Sequence, residues 1–179
     1  KVLTSWNALA ISGLARAARA QDEPRWAELA FAAADTLKRT AWRDGRLLAT
    51  RFGEHADLNG YLDDYAFLLS ALVELMQTRF RPEDFAWARE LADALLAHFE
   101  DSAHGGFFFT SHDHERLIQR PKPGLDNATP AGNGIAAFAL QRVTRNLGIG
   151  LGGVAGGLIA TTGNPVAMQG ARARASRAA

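Results

Sequence analysis

The chain has 179 residues, 47% of them hydrophobic, which is enough for one domain with a core and too many for a disordered segment. Its 20 lysines and arginines are scattered among 19 aspartates and glutamates with no basic stripe, so binding to nucleic acid is not expected. The absence of cysteine excludes disulfides, thiolate metal sites and thiol catalysis, and it suits a reducing, cytoplasmic compartment.

The opening Lys1-Val2-Leu3-Thr4 has neither the charged nor the apolar region of a signal peptide, and without an initiating Met it points to a start inside a longer protein. A first helix is expected over 5–20, with Thr4 or Ser5 as N-cap and an apolar stripe of Trp6, Leu9, Gly13, Leu14 and Ala17. Pro24 opens a second helix, in which Trp26, Leu29, Ala30, Ala33 and Leu37 recur at helical spacing to about Thr40. Residues 42–48 read as a β-hairpin turning at Asp44-Gly45. A third helix over 62–80 is apolar on nearly every side between Ala66 and Val73, the mark of a helix buried all round.

Pro82 begins a fourth helix with Phe85, Ala88, Leu91, Ala92, Leu95 and Phe99 on one stripe. Asp101 to Gly106 is a turn, Phe107-Phe108-Phe109-Thr110 a short strand, and 134–145 a fifth helix. Helix, turn and short β segment occur twice, a weak internal repeat of inner helix, outer helix and small hairpin. The fold class is therefore all-α: part of an α/α toroid over 1–145, with short β-hairpins between its helical repeats. Residues 146–179 form a glycine- and alanine-rich tail, uncharged from Leu147 to Ala171. It is short for a membrane span, which needs about 20 apolar residues, and it lacks the strand and helix that flank a phosphate loop. A change of reading frame near Asn146 or an unstructured genuine terminus is the expectation there.

Polar and aromatic residues recur where the first, third and fifth helices begin: Trp6-Asn7, Tyr61-Leu62-Asp63-Asp64-Tyr65, and Asp126-Asn127 with Gly132-Asn133-Gly134. Residues 7, 63 and 133 lie 56 and 70 positions apart, about one two-helix unit each, so the three starts should meet at one end. Asp63, Asp64 and Asp126 are the candidate catalytic groups, because glycoside chemistry needs one carboxyl as acid and another as base or nucleophile. Adjacent helical residues point about 100° apart, so one of the pair should face a ligand and the other cap the helix or meet an arginine. Trp6, Tyr61 and Tyr65 could stack on a sugar ring, with core packing as the alternative. Asn7 and Asn133 could bind hydroxyls or cap helices, and Arg120 could hold a carboxylate or lie in solvent. His112-Asp113-His114 reads as a polar turn, the other histidines show no pairing pattern, and no metal site or cofactor is expected. No histidine occupies a predicted start of the first, third or fifth helix, which argues against epimerase chemistry.

Four motifs, Lys1-Val2-Leu3-Thr4-Ser5-Trp6-Asn7, Gly60 to Ala66, Asp101 with Gly105 to Thr110, and Asp126 to Asn133, resemble the helical part of the spermatogenesis-associated protein 20 / YyaL family. The resemblance covers about residues 1–145. It implies a thioredoxin-like domain fused to a six-hairpin (α/α) barrel akin to glycosidases and N-acylglucosamine 2-epimerases, with substrate and reaction undefined. Two departures stand out: no thioredoxin-like domain is present in this chain, and the glycine-rich tail stands where another hairpin should follow. The expected function is binding or processing of a carbohydrate-type small molecule, hydrolase-like if catalytic. The alternative is a non-catalytic scaffold that partners the thioredoxin-like domain or another protein.

Overall fold

The computed structural model describes residues 1–147 except Glu54 and Arg116, so nearly all of the glycine-rich tail lies outside the described residues. In chain order these residues form β1 (Val2–Leu3), α1 (Thr4–Gln21), α2 (Pro24–Ala41), β2 (Trp42–Arg43), β3 (Arg46–Phe52), β4 (His55–Asn59), α3 (Leu62–Thr78), α4 (Pro82–Phe99) and α5 (Gly132–Leu147). The chain is mostly helical, as read from its sequence, and carries in addition a small antiparallel sheet. None of the described helices is long and apolar enough to cross a membrane.

The helices stop and start for local reasons. Asp22 takes a left-handed conformation (φ 52°) that ends α1. Glu23 then accepts from the Arg25 amide, and Pro24 occupies the first turn of α2. Arg79 turns extended and ends α3 at Thr78, two residues earlier than its apolar pattern suggested. Pro82 restarts the chain as α4.

Helices α1 and α5 pack along α3 on either side, while α2 covers α1 and α4 covers α3. The three inner helices run parallel. At one end the Ser5 amide donates to Asp64 and Gly132 meets Asp63; at the other, Arg19 of α1 and Arg142 of α5 both reach Glu74 of α3. Flanked on so many sides, α3 buries nearly its whole length, including Leu68, Leu69, Leu72 and Leu75. Each such leucine contributes roughly 1.5–3 kcal/mol on burial.

The stripe that α1 buries differs from the expected one. Thr4, Ala8, Ile11, Ala15 and Ala18 face the core, whereas Trp6 is 64% exposed and Gly13 is also open. Both faces of α1 are apolar, and the small alanine face allows the closer approach to α3. The predicted hairpin is present: Trp42 pairs with Leu47 and Arg43 with Arg46 around Asp44-Gly45, both at positive φ as its two-residue turn requires. Beyond it, β3 continues to Phe52 and pairs with β1 and β4, a sheet the sequence did not announce. Phe107 to Thr110 is not a strand but a single bridge of Phe107 to Glu100. The Asn133 side-chain amide takes the place of a partner strand, accepting from the Phe107 N–H (2.7 Å) and donating to its carbonyl (2.9 Å).

Candidate functional site

The segment from Gly60 to Tyr65 gives every residue a separate task. Gly60 lies so close to β3 that a Cβ would sit 2.8 Å from the Leu47 carbonyl oxygen, which accepts the Gly60 N–H. The Leu47 N–H donates to the Tyr65 hydroxyl (2.8 Å), and the Tyr65 ring, fully buried, packs against Phe99. Tyr65 thus belongs to the core and offers no face to a ligand. Tyr61 is half-buried and stacked on Phe109, ring centres 5.1 Å apart and planes at 15°.

The two adjacent aspartates differ sharply. Asp64, 3% exposed, accepts the Ser5 amide on Oδ1 and the Tyr61 amide on Oδ2, both at 2.9 Å, and so caps α1 and α3 at once. Burial pushes its carboxyl up to about 6 despite those two donors. Asp63 is half-buried at the start of α5, and its Oδ1 is enclosed without a hydrogen-bond partner among the described residues. A Cβ on Gly132 would lie 2.1 Å from that oxygen, so only glycine lets the carboxyl sit where it does. Burial alone raises the Asp63 carboxyl above the usual carboxylate range.

The third start is built by the segment between α4 and α5. Asp126 is exposed and accepts the Ala131 amide (2.8 Å) just before α5. Asn133 also donates to the Pro123 carbonyl, fastening that segment to α5. The Phe109 carbonyl accepts the Leu62 N–H of α3. Asp101 receives Lys122 (2.7 Å) together with the amides of Ala103 and His104, and the Lys122 contact holds its carboxyl well below the ordinary range. Arg120 lies over the Phe108 ring (4.0 Å) and donates to the Thr110 carbonyl, a bracing position within the segment.

The structure therefore brings together the starts of α1, α3 and α5, as the spacing of residues 7, 63 and 133 suggested. It leaves Asp63 as the carboxyl with an unused buried oxygen. Asn7 donates to the Leu3 carbonyl and lines a cleft of about 280 Å³ with Val2, Thr36, Thr40 and Arg51, a cleft that Asp63 does not line. Trp6, in the first turn of α1, is exposed.

Two features escaped the sequence reading. His114, carried by the segment after α4, places its ring 6.0 Å from that of Tyr61, so a histidine does reach the α3 start. At the opposite end, Glu74 is buried among Arg16, Arg19 and Arg142. Its visible signal is that it is the one charged residue of α3 beyond Asp64, on a stretch otherwise almost wholly apolar, where an unpaired acid would be costly. Among the described residues no group of acidic and histidine side chains is arranged to hold a metal ion.

These features define a mostly helical protein with a small antiparallel sheet, in which the starts of α1, α3 and α5 meet. The chain belongs to the spermatogenesis-associated protein 20 family. It is 31% identical over 154 residues to human spermatogenesis-associated protein 20, covering 80% of this chain and 20% of the relative. The rat protein is 32% identical over 155 residues, and an uncharacterized protein of Caenorhabditis elegans is 29% identical over 151, with the same shares covered. The chain thus spans about a fifth of the length of the curated relatives it matches. No protein-family model matches it.

Proposed function

We propose that the joined starts of α1, α3 and α5 bind a carbohydrate-type small molecule, with Asp63 as the carboxyl that meets it. The observation that carries this reading is the enclosed, unpartnered Asp63 Oδ1 beside Gly132, since buried polar atoms are nearly always paired. A hydroxyl donor completes it. If the whole protein is catalytic, the raised Asp63 carboxyl suits general-acid work, protonating a leaving oxygen while a second carboxyl activates water or the sugar. Asp126 is the more available candidate for that second role, because Asp64 already spends both oxygens on two helix starts. In this reading the inner row continues into a closed toroid supplied by the rest of the parent protein.

A panel of mono- and disaccharides in thermal-shift measurements on the intact parent protein tests the reading. A sugar-specific stabilisation that disappears in Asp63→Asn supports it; a clean melt that no sugar shifts overturns it. That second result favours a non-catalytic scaffold, which the exposed face of α1 around Trp6 would serve as a docking surface for a thioredoxin-like domain.

A further inference from the structure

His112-Asp113-His114 reads in sequence as a polar turn, yet its three members are not equivalent in the fold. Asp113 is gripped by Arg46 through both oxygens (2.7 and 3.0 Å), and Arg46 also contacts His98 and Ser111. His112 lies against the Glu100 carbonyl (3.0 Å) and Arg120 (3.2 Å), so both of its ring nitrogens are engaged. His114 alone has a ring nitrogen, Nδ1, that is enclosed and without a partner among the described residues. The anchored neighbours aim it at the α3 start, where its ring lies tilted beside Tyr61, two residues from Asp63.

Four enclosed side-chain polar atoms lack a partner among the described residues: Arg46 Nε, Asp63 Oδ1, Trp87 Nε1 and His114 Nδ1. Two of them belong to the α3 start: Asp63 Oδ1, two residues after Tyr61 on α3, and His114 Nδ1, in the ring that lies beside Tyr61. An acidic oxygen and an imidazole nitrogen, both unpartnered among the described residues at one helix start, suit hydroxyls of a polyhydroxylated ring. We propose that His114 is a second ligand-contacting group of the Asp63 site, hydrogen-bonded through its ring to one hydroxyl of the molecule while Asp63 binds another. The inference rests on the carbohydrate reading above and adds to it a residue from a different part of the chain. Arg46 and Asp113 are positioning residues that act through His114.

The test uses the intact parent protein with ¹⁵N-labelled histidine, titrated with the same mono- and disaccharides. The expected result is a shift of the His114 ring resonances on sugar addition, about tenfold weaker binding in His114→Asn, and a smaller loss in Asp113→Asn. Binding that is lost in Asp63→Asn, with silent His114 resonances and full affinity in His114→Asn, overturns the inference and leaves the Asp63 site standing. If no sugar binds the wild-type protein, both fall. Should His114→Asn fail to fold, the wild-type ring resonances decide on their own.

Discussion

Side chains of Asp63 and Asp64 leave α3 about 100° apart, and this divergence makes them separable by mutation. Asp64 uses one oxygen for each of two backbone donors, so Asp64→Asn must turn an NH₂ toward either Ser5 or Tyr61. We expect a loss of about 1–3 kcal/mol in urea unfolding. The loss should narrow as pH rises. The native Asp64 carboxyl holds its proton up to about 6, above its unfolded value near 3.8, so its contribution is full in acid and fades through that window. Asp63→Asn removes a desolvated carboxyl with no bond to lose on Oδ1, and stability should stay within about 0.5 kcal/mol of wild type. Gly132→Ala is the sharper probe. Its methyl group would claim the place of Asp63 Oδ1, and the flexible carboxyl can rotate away at a cost of about 1 kcal/mol. In the parent protein this variant should melt nearly as wild type and yet lose any sugar response, matching Asp63→Asn; a retained response would show that the Asp63 position is immaterial.

Between elements, Glu74 ties α1, α3 and α5 near their C-terminal ends, opposite the joined starts. Burial by itself raises its carboxyl, but hydrogen bonds from Arg19, Arg142 and Arg16 outweigh that and hold it at about 2. A depressed acid contributes its stability above the unfolded value near 4.5 and loses it as pH falls toward 2. Acid unfolding should therefore begin in that interval for the wild type and flatten in Glu74→Gln. At neutral pH the same variant should be destabilised by about 3 kcal/mol, because Arg142 is left largely buried without its partner. An unchanged melt would show that the arginines find water instead. These ties also explain what the sequence disclosed. Helices α2, α3 and α4 were legible because Pro24, Pro82 and long periodic stripes punctuate them, and the β2–β3 hairpin because Asp44-Gly45 demands its turn. Strand β4 and the far end of β3 were not legible, since Thr50 to Asn59 lacks the alternation of a half-buried strand. The site was half legible. Polar helix starts stood out by spacing, whereas His114 enters through tertiary anchoring by Arg46 and Asp113, which no local pattern encodes.

At the scale of the whole molecule, the inner row has a face that nothing among the described residues covers. On α1, Trp6 is 64% exposed and Gly13 is open beside the half-buried Leu9 and Leu14; on α5, Phe138 is 50% exposed. Helix α3, with a neighbour on each side, shows what such an inner helix looks like when covered: almost none of its apolar surface meets water. An apolar face of this kind rimmed by polar residues drives association in a free chain. The chain spans 20% of the length of its curated relatives, and in proteins of that length further chain is available to cover such a face. Residues 1–179 expressed alone should therefore elute as oligomers or aggregates in size exclusion with light scattering, and bind a hydrophobic dye more strongly than the parent. Trp6→Glu places a charge on the open face without touching the α3 contact, so it should shift that distribution toward monomer with little change in helical content. A monodisperse wild-type monomer with a cooperative melt would mean that the α1 face is stable in water, and that the row of three inner helices is a complete folding unit.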